Sequence, residues 1–339
     1  MHQLPLHRIS KALTRVACVH VGTPKTGTTA LQIFLGVNHD RLLEAGVLYP
    51  RAGDPHFRGQ PTMAHHELVR ELHREGPGPQ LAAVVAEIAS SDAPLVVLSS
   101  EEFHALPPAQ MTSLVDALRS AEYVPIAVVY LRAQPFYAES VYVELLKAGL
   151  LSSFDAYLAE IVGGGAYVQP DSGARVEFEY SRLVSGLESS FGAGMVVPMA
   201  YRPERKPGAQ AVEFLGYLGR LRGEMHVKGL VNSTSRVNES QTLRGVIDRL
   251  YALAGGRPPA NLGIFEDDLN ARFSLLSFEN VVRFYERFAG DNRSLNARFG
   301  IEIPFAAIGD VPSPDDPRFA RAQRHREIFG RIIETLGLL

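Results

Sequence analysis

The stretch that decides the fold of this chain is Val16-Ala17-Cys18-Val19-His20-Val21-Gly22-Thr23-Pro24-Lys25-Thr26-Gly27-Thr28-Thr29. Residues 17–21 form a short, largely apolar run that stops at Gly22, and this pattern predicts a buried β-strand. Residues 28–38 carry apolar side chains at the spacing of a helix. Together these parts predict a strand, a glycine loop and a helix.

Two more strand and helix pairs follow. Residues 95–99 predict a second buried strand with a helix after it at 107–120, and residues 124–132 predict a third strand with a helix at about 135–147. Strands that are apolar on both faces and alternate with helices are typical of a mostly parallel sheet covered on two sides. We therefore predict an α/β fold, a three-layer P-loop-like parallel β-sheet flanked by helices. The carboxyl ends of its strands should form the functional site.

The rest of the chain has mainly helical patterns, among them residues 180–191 and about 317–336. Beyond Gly149, residues 195–201 are the one clear later strand. We predict a single domain over residues 1–339, with a core at about 14–201 and a largely helical C-terminal portion at about 202–339.

Composition narrows the class of protein. The chain has 339 residues, of which 46% are apolar and 21% charged, and this balance allows a substantial buried core. Its net charge of −3 argues against a general nucleic-acid binder, because phosphate-backbone affinity depends on an excess of Lys and Arg. Residues 1–15 lack the apolar region of a signal peptide, and no apolar run approaches the roughly 20 residues of a membrane helix. We expect a cytoplasmic protein without a transmembrane segment.

The glycine loop has the features of a phosphate site, because glycines let the backbone turn its amides toward an anion at the following helix N-terminus. Lys25 precedes Gly27 here, whereas the nucleoside-triphosphatase loop places its lysine after the last glycine. The order Pro-Lys-Thr-Gly-Thr-Thr resembles the 5′-phosphosulfate loop of sulfotransferases that use 3′-phosphoadenosine 5′-phosphosulfate (PAPS). That resemblance implies that Lys25 contacts the moving sulfuryl group and that the 5′-phosphate is held by Thr26, Gly27, Thr28 and Thr29.

A second motif follows the third strand. Arg132 ends that strand and Ser140 lies eight positions later on the next helix. An arginine fork and a hydroxyl can bind one phosphate together through charge-assisted hydrogen bonds. This Arg-x7-Ser spacing resembles the 3′-phosphate element of the same family, and it implies PAPS as the donor because ATP has no 3′-phosphate.

Candidates for a general base come from two segments. Cytosolic members of the family carry a Lys-x-His pair on the strand that matches residues 95–99, and Ser99 and Glu101 stand at those places here. Glu101 is therefore a candidate base, although it could equally cap the next helix or pair with an arginine. His65 and His66 are the rival bases, and their adjacent side chains should diverge. No set of residues with ligand spacing accompanies them, so we expect no metal.

The resemblance implies transfer of a sulfuryl group from PAPS to a hydroxyl or amine, with adenosine 3′,5′-bisphosphate as the product. The sequence leaves open whether the acceptor is a glycan, lipopolysaccharide or another lipid-linked sugar, or a small natural product. We expect its pocket to come from loops such as 51–66 and 74–79 and from the helices after Gly149. In the family, a late Arg-Lys-Gly element also contacts the 3′-phosphate, and this chain has only a loose counterpart of it at 205–208. Residues 236–240 are a weakly supported candidate for a segment that covers the nucleotide. The alternatives are a Mg-ATP-dependent P-loop small-molecule kinase and a noncatalytic nucleotide-binding protein. The sequence leaves open whether the chain forms a homo-oligomer.

Overall fold

The computed structural model describes residues 15–23, 25–53, 63–149, 152–170, 173–202, 209–222, 241–259 and 262–338. The segments 205–208 and 236–240, and most of the loop at 51–66, lie outside these ranges. Among the described residues, none of the helices is both long enough and apolar enough to cross a bilayer.

The strands form one parallel sheet and one small hairpin. Their bounds are β1 Val16–Val21, β2 Val47–Leu48, β3 Leu95–Ser100, β4 Val124–Leu131, β5 Ala166–Val168, β6 Arg175–Glu177 and β7 Val196–Ala200. The parallel sheet has the order β2-β3-β1-β4-β7, so β1 lies between β3 and β4. In this register Val21 pairs with Ser100 on one side and with Val129 on the other. The carboxyl ends of the three central strands therefore meet at one edge of the sheet.

The helices are α1 Thr28–Val37, α2 His39–Glu44, α3 His66–Glu75, α4 Pro79–Ala89, α5 Pro108–Ser120, α6 Gln134–Ala148, α7 Phe154–Gly164, α8 Tyr180–Phe191, α9 Ala209–Arg222, α10 Leu243–Leu253, α11 Glu266–Asn270, α12 Phe278–Phe299 and α13 Pro317–Leu336. Short 3-10 turns lie at Glu101–Ala105 and Ile308–Asp310. Beyond Tyr201 the described residues form helices and no named strand. The predicted helical C-terminal portion is thus confirmed.

Alternate residues of the central strands bury opposite faces of the sheet. On β1, Ala17, Val19 and Val21 belong to one apolar cluster, with residues from α3, α4, α5 and α8. Val16 and Cys18 belong to a second cluster, with residues from α1 and α9. A strand that is buried on both faces needs this double covering, so the predicted three-layer α/β sheet is confirmed.

The chain divides into two compact units. The first comprises Met1–Arg132, Tyr180–Thr234 and Ser294–Ile303, and it contains the parallel sheet. The second comprises Ala133–Glu179, Ser235–Arg293 and Pro304–Leu339. This second unit contains the β5-β6 hairpin and has an apolar cluster of its own. The single-domain interpretation of residues 1–339 stays a prediction.

Several features differ from the sequence prediction, among them the helices α3 and α4, which it did not contain. The expected loop at 74–79 is shorter, because α3 runs to Glu75, α4 starts at Pro79, and Gly76 ends α3 with a φ of 78°. The β5-β6 hairpin was not expected, and its strands have only three residues each. Such short strands leave too little alternation to be recognised in a sequence.

Candidate functional site

The loop between β1 and α1 is a tight turn with two residues in the left-handed region. Lys25 has a φ of 65° and Gly27 a φ of 75°. Left-handed backbone is uncommon for a side chain such as that of Lys25, and such strain persists only where the surroundings hold it. The Thr26 hydroxyl helps to hold the turn by donating to the carbonyl of Thr23 at 2.7 Å.

The turn leaves backbone amides at the start of α1 facing outward from the helix end. Gly27 is the N-cap and provides no side-chain cap, and Leu31 makes the first intrahelical bond, to the carbonyl of Gly27. The amides of residues 28–30 therefore have no acceptor within the helix. A ten-residue helix adds its dipole to these amides, which makes the position suited to an anion.

The two loop glycines are required by close packing. A Cβ on Gly22 would lie 2.8 Å from the Cα of Glu101. A Cβ on Gly27 would lie 2.3 Å from the Oε1 of Gln210. Only glycine fits at either position without movement of its neighbours, so the loop packs against the 3-10 turn after β3 on one side and against α9 on the other.

Side chains from neighbouring elements anchor the loop. Thr23 donates its hydroxyl hydrogen bond to the carbonyl of Tyr130 on β4 at 2.7 Å. The side-chain amide of Gln210, on α9, donates to the carbonyl of Thr26 at 2.8 Å. The cradle is therefore attached to the sheet and to a covering helix.

Arg132, directly after β4, reaches the same loop. Its Nη1 donates a hydrogen bond to the backbone carbonyl of Lys25 at 2.8 Å, and its guanidinium carbon lies 5.7 Å from the centre of the Tyr201 ring. The residue is buried, and its own carbonyl accepts a hydrogen bond from the hydroxyl of Tyr180. The first unit thus brings the strand-end arginine and the predicted phosphate loop into direct contact.

Glu101 lies at the start of the 3-10 turn after β3. Its Oε2 accepts a hydrogen bond from the hydroxyl of Thr28 at 2.9 Å. A candidate base, Glu101, is therefore the hydrogen-bond partner of Thr28, a predicted phosphate ligand. Thr29, the last residue of the motif, is exposed.

The two adjacent histidines have different environments. His65 is fully buried, with Nδ1 3.1 Å from the amide of Ser99 and Nε2 3.0 Å from the carbonyl of Pro50. Burial lowers the pKa of His65 to about 4, so the ring is neutral near pH 7. Both of its nitrogens are occupied by backbone, which leaves no nitrogen for proton transfer to a substrate.

His66, the first residue of α3, points toward the end of β3. Its Nδ1 lies 2.8 Å from the hydroxyl oxygen of Ser100, and the ring is mostly buried. Within the described ranges no residue hydrogen-bonds to Nε2 of His66, whereas both nitrogens of His65 contact backbone. The expectation that adjacent side chains diverge is confirmed by these contacts.

Ser140 lies on α6 in the second unit. It is buried and accepts a hydrogen bond from Nη2 of Arg272 at 3.0 Å. Beside it, Glu139 Oε1 accepts from the amides of Leu275 and Leu276 at 2.7 and 3.1 Å. A small polar pocket within this unit is lined by Glu139, Ser140, Val143, Gln241, Arg272 and Phe273.

Sequence reasoning missed several of these residues. Tyr201 directly follows β7, and a polar aromatic residue at the carboxyl end of a strand is a signal that could have found it. Gln210 and Arg272 carry no local signal, because their partners are 184 and 132 positions away in the chain. Their roles follow from tertiary contacts alone.

No family model matches this chain, and no curated protein matches it either. Among solved structures, a sulfotransferase from Alicyclobacillus acidocaldarius is similar, with 18% sequence identity and a TM-score of 0.41. The similarity covers 72% of this chain and 97% of that one. Its name places that protein among the sulfotransferases.

Proposed function

We propose that this chain is a PAPS-dependent sulfotransferase that transfers a sulfuryl group to a hydroxyl or amine acceptor. The observation that carries the proposal is the hydrogen bond from Arg132 to the carbonyl of Lys25. This hydrogen bond joins the glycine loop, which the sequence assigns to the 5′-phosphosulfate, to Arg132, which the sequence assigns to the 3′-phosphate of the same nucleotide.

The loop is suited to hold the 5′-phosphosulfate. Gly22 and Gly27 leave no room for a Cβ, so the loop keeps the tight turn that leaves backbone amides at the start of α1 for an anion. In this proposal the 5′-phosphate is held by the residues Thr26, Gly27, Thr28 and Thr29. The ammonium of Lys25 neutralises the charge that builds on the departing phosphate oxygen.

Arg132 is suited to the 3′-phosphate. A buried guanidinium presents donors in a fixed fork, and a phosphate offers matching acceptor oxygens. Ser140 is the hydroxyl that the sequence pairs with it, and this pairing stays a prediction.

The reaction is an in-line transfer. The acceptor oxygen or nitrogen forms a bond to sulfur, the bond from sulfur to the 5′-phosphate oxygen breaks, and its electron pair leaves with adenosine 3′,5′-bisphosphate. The acceptor's proton passes to a base, which is Glu101 or His66. Positioning and charge stabilisation supply most of the rate, and the base contributes roughly 10²–10⁴.

The acceptor is a glycan, a lipid-linked sugar or a small natural product in this proposal. No metal has a part in it, and the described residues contain no group of three or more His, Cys, Asp and Glu side chains placed to hold one. The cytoplasmic location stays a prediction.

A P-loop kinase is the second candidate, because one contact favours it. The Thr28 hydroxyl and the Glu101 carboxylate, 2.9 Å apart, pair a loop threonine with a strand-end acid, as Mg²⁺ binding in P-loop enzymes does. Turnover of ATP that requires Mg²⁺ would support this second function.

Calorimetric titration of the protein with adenosine 3′,5′-bisphosphate and with ATP separates the two candidates. We expect tight binding of the bisphosphate without Mg²⁺ and much weaker binding of ATP. Equal affinity for the two ligands would overturn the sulfotransferase proposal. Incubation with PAPS labelled with radioactive sulfur and extracts of the source cell then identifies the acceptor by the molecule that becomes labelled.

A noncatalytic nucleotide-binding protein remains the third account of the same loop. Lys25→Ala distinguishes it from an enzyme, because loss of the cation should abolish label transfer while the bisphosphate still binds. Unchanged biological activity of a folded Lys25→Ala protein would favour the noncatalytic account.

A further inference from the structure

His66 is oriented by two groups on the segment that follows β3. Its Nδ1 lies 2.8 Å from the Ser100 hydroxyl oxygen and 3.6 Å from Oε1 of Glu102. Ten per cent of the His66 side chain is exposed, so the ring is enclosed on the Nδ1 side without being sealed. A histidine whose Nδ1 faces a carboxylate is held in one orientation and one tautomer.

Glu102 is itself fixed by an arginine fork. Nη2 of Arg70 donates to Oε1 at 2.8 Å and Nε of Arg70 donates to Oε2 at 3.2 Å. Two parallel hydrogen bonds determine the plane of a carboxylate, which a single surface ion pair does not. Arg70 therefore keeps the Oε1 of Glu102 directed toward His66.

Ser100 connects this group to the phosphate loop. Its hydroxyl oxygen accepts the amide hydrogen of Glu102 at 3.1 Å, while its carbonyl accepts the amide hydrogen of Gly22 at 3.1 Å. His66 is thus linked through one residue to the first glycine of the cradle. Its position relative to the loop is set by hydrogen bonds within the first unit.

The charge of Glu102 decides which nitrogen of His66 carries the proton. A negative carboxylate beside Nδ1 stabilises a hydrogen on that nitrogen, directed at the Ser100 oxygen, and leaves the lone pair on Nε2. His65 provides the contrast, because its Nδ1 lies 3.1 Å from the amide nitrogen and 3.3 Å from the carbonyl oxygen of Ser99, while its Nε2 lies 3.0 Å from the carbonyl oxygen of Pro50. A hydrogen on Nε2 of His65 satisfies the shorter contacts, so we expect the two histidines to hold opposite tautomers.

We propose that Glu102 is a positioning residue that holds His66 with its Nε2 lone pair available, and that His66 is the general base of the reaction. The inference rests on the proposed function and chooses between the two bases left open there. The acceptor's proton moves to Nε2 of His66 as the bond to sulfur forms, and the resulting imidazolium is stabilised by Glu102. Glu101, whose Oε2 accepts from Thr28, orients the loop.

The charged and titratable groups around His66 come from two elements. Glu102 faces it from the 3-10 turn and is neutralised in part by Arg70. On its own helix, Glu67 lies 3.8 Å from Arg70, and His65 is the preceding residue. Of these groups, Glu102 is the carboxylate in contact range of the ring.

The tautomer can be measured without any substrate. In protein labelled with ¹⁵N histidine, long-range proton–nitrogen spectra at pH 7.5 distinguish a protonated Nδ1 from a protonated Nε2, and His66→Gln assigns the signal. We expect a protonated Nδ1 in the native protein and a shift toward a protonated Nε2 in Glu102→Gln. Glu75→Gln is the matched control, because it removes a carboxylate from an exposed position at the end of α3, and its spectrum should be unchanged. A protonated Nε2 in the native protein, or no response to Glu102→Gln, overturns the inference.

A kinetic measurement tests the role in catalysis. With PAPS labelled with radioactive sulfur and the acceptor identified as above, Glu102→Gln should lower kcat roughly 10-fold and His66→Gln roughly 10²–10⁴-fold, with KM for PAPS little changed. Glu75→Gln should match the native enzyme. Full activity of His66→Gln with loss of activity in Glu101→Gln would make Glu101 the base and contradict the inference. Absence of any PAPS turnover in the native protein would instead count against the proposed function, and the tautomer measurement would still stand on its own.

Discussion

The guanidinium of Arg132 donates a hydrogen bond to the backbone carbonyl of Lys25 across a 2.8 Å distance, although the two residues are 107 positions apart in the chain. This contact places a buried cation against the outside of the turn in which Lys25 has a positive φ. Arg132 could therefore support the loop, bind a phosphate, or do both. Nucleotides with and without a 3′-phosphate separate these roles.

Arg132→Ala should weaken binding of adenosine 3′,5′-bisphosphate by roughly 10- to 100-fold, because charge-assisted hydrogen bonds are worth about 1.5–3 kcal/mol. Binding of adenosine 5′-monophosphate, which has no 3′-phosphate, should fall much less. Calorimetric titration of both nucleotides measures the difference. Arg132→Lys, which keeps the charge and loses the fork, should recover part of the affinity, and Arg41→Ala, at an exposed position, should have no effect. An equal loss for both nucleotides would show that Arg132 only supports the loop.

Ser140→Ala and Arg272→Gln test the assignment made for the second unit. If Ser140 binds the 3′-phosphate, its hydrogen-bond partner Arg272 contributes to the same anion, and Arg272→Gln should weaken bisphosphate binding roughly 10-fold. Ser140→Ala should cost about 1 kcal/mol, or roughly 5-fold in affinity. Arg249→Gln is the control, since Arg249 contacts a backbone carbonyl, that of Lys147, in the same unit. Unchanged titrations for both variants would show that the Arg-x7-Ser resemblance does not extend to Ser140.

Gly22→Ala should destabilise the protein by about 1–3 kcal/mol and abolish nucleotide binding. Its new Cβ would lie 2.8 Å from the Cα of Glu101, where backbone cannot move aside as a flexible side chain could. Gly163→Ala is the matched control, because a Cβ there meets nothing within 4 Å and alanine is favoured in a helix. Thermal unfolding should show a lower Tm for Gly22→Ala and an equal or higher Tm for Gly163→Ala. A Gly22→Ala protein with native Tm and native binding would contradict the packed cradle.

Stability should fall as the pH is lowered from about 6.5 to 4. His20 is fully buried on β1 and burial lowers its pKa to about 4, as burial does for His65. Between about pH 4 and the ordinary histidine pKa near 6.5, the unfolded chain binds these protons and the folded chain does not, so unfolding is favoured as pH falls. Each histidine contributes up to roughly 3 kcal/mol over this range.

Urea unfolding at a series of pH values measures the effect. His20→Phe should reduce the pH dependence of the unfolding free energy, because it removes one of the histidines whose pKa is lowered by burial. His73→Asn, at an exposed position of α3, should leave the pH dependence as it is. The same slope in His20→Phe as in the native protein would mean that His20 is not neutral in the folded state.

Local patterns predicted the elements that form the core of the site. The ends of β1, β3 and β4 were predicted to within one or two residues, and α8 and α13 were predicted with their observed bounds. These elements are long and strongly periodic, so the information lies within neighbouring residues. The helices α3 and α4 also carry apolar side chains at helical spacing, for example Leu68 and Leu72. The sequence analysis did not predict these two helices, because they lie between segments rich in glycine and proline.

The role of each candidate base could not be predicted in the same way. His65 and His66 are neighbours with equivalent side chains, yet one is enclosed by the backbone of Pro50 and Ser99 and the other faces Ser100 and Glu102. The difference comes from how α3 docks on the end of β3. No local property of the sequence distinguishes them.

By itself the sequence determined the strand, the glycine loop and the helix, since these depend on apolar spacing and on where glycine permits a tight turn. Only the tertiary structure decided that Arg132 reaches Lys25, that Thr28 pairs with Glu101, and that β1 lies between β3 and β4. The physical reason is that these contacts join residues far apart in the chain. The separation is 73 positions for Thr28 and Glu101, 107 for Arg132 and Lys25, and 108 for the paired Val16 and Val124. Hydrogen bonds over such separations depend on strand order and register, which the packing of the whole sheet selects.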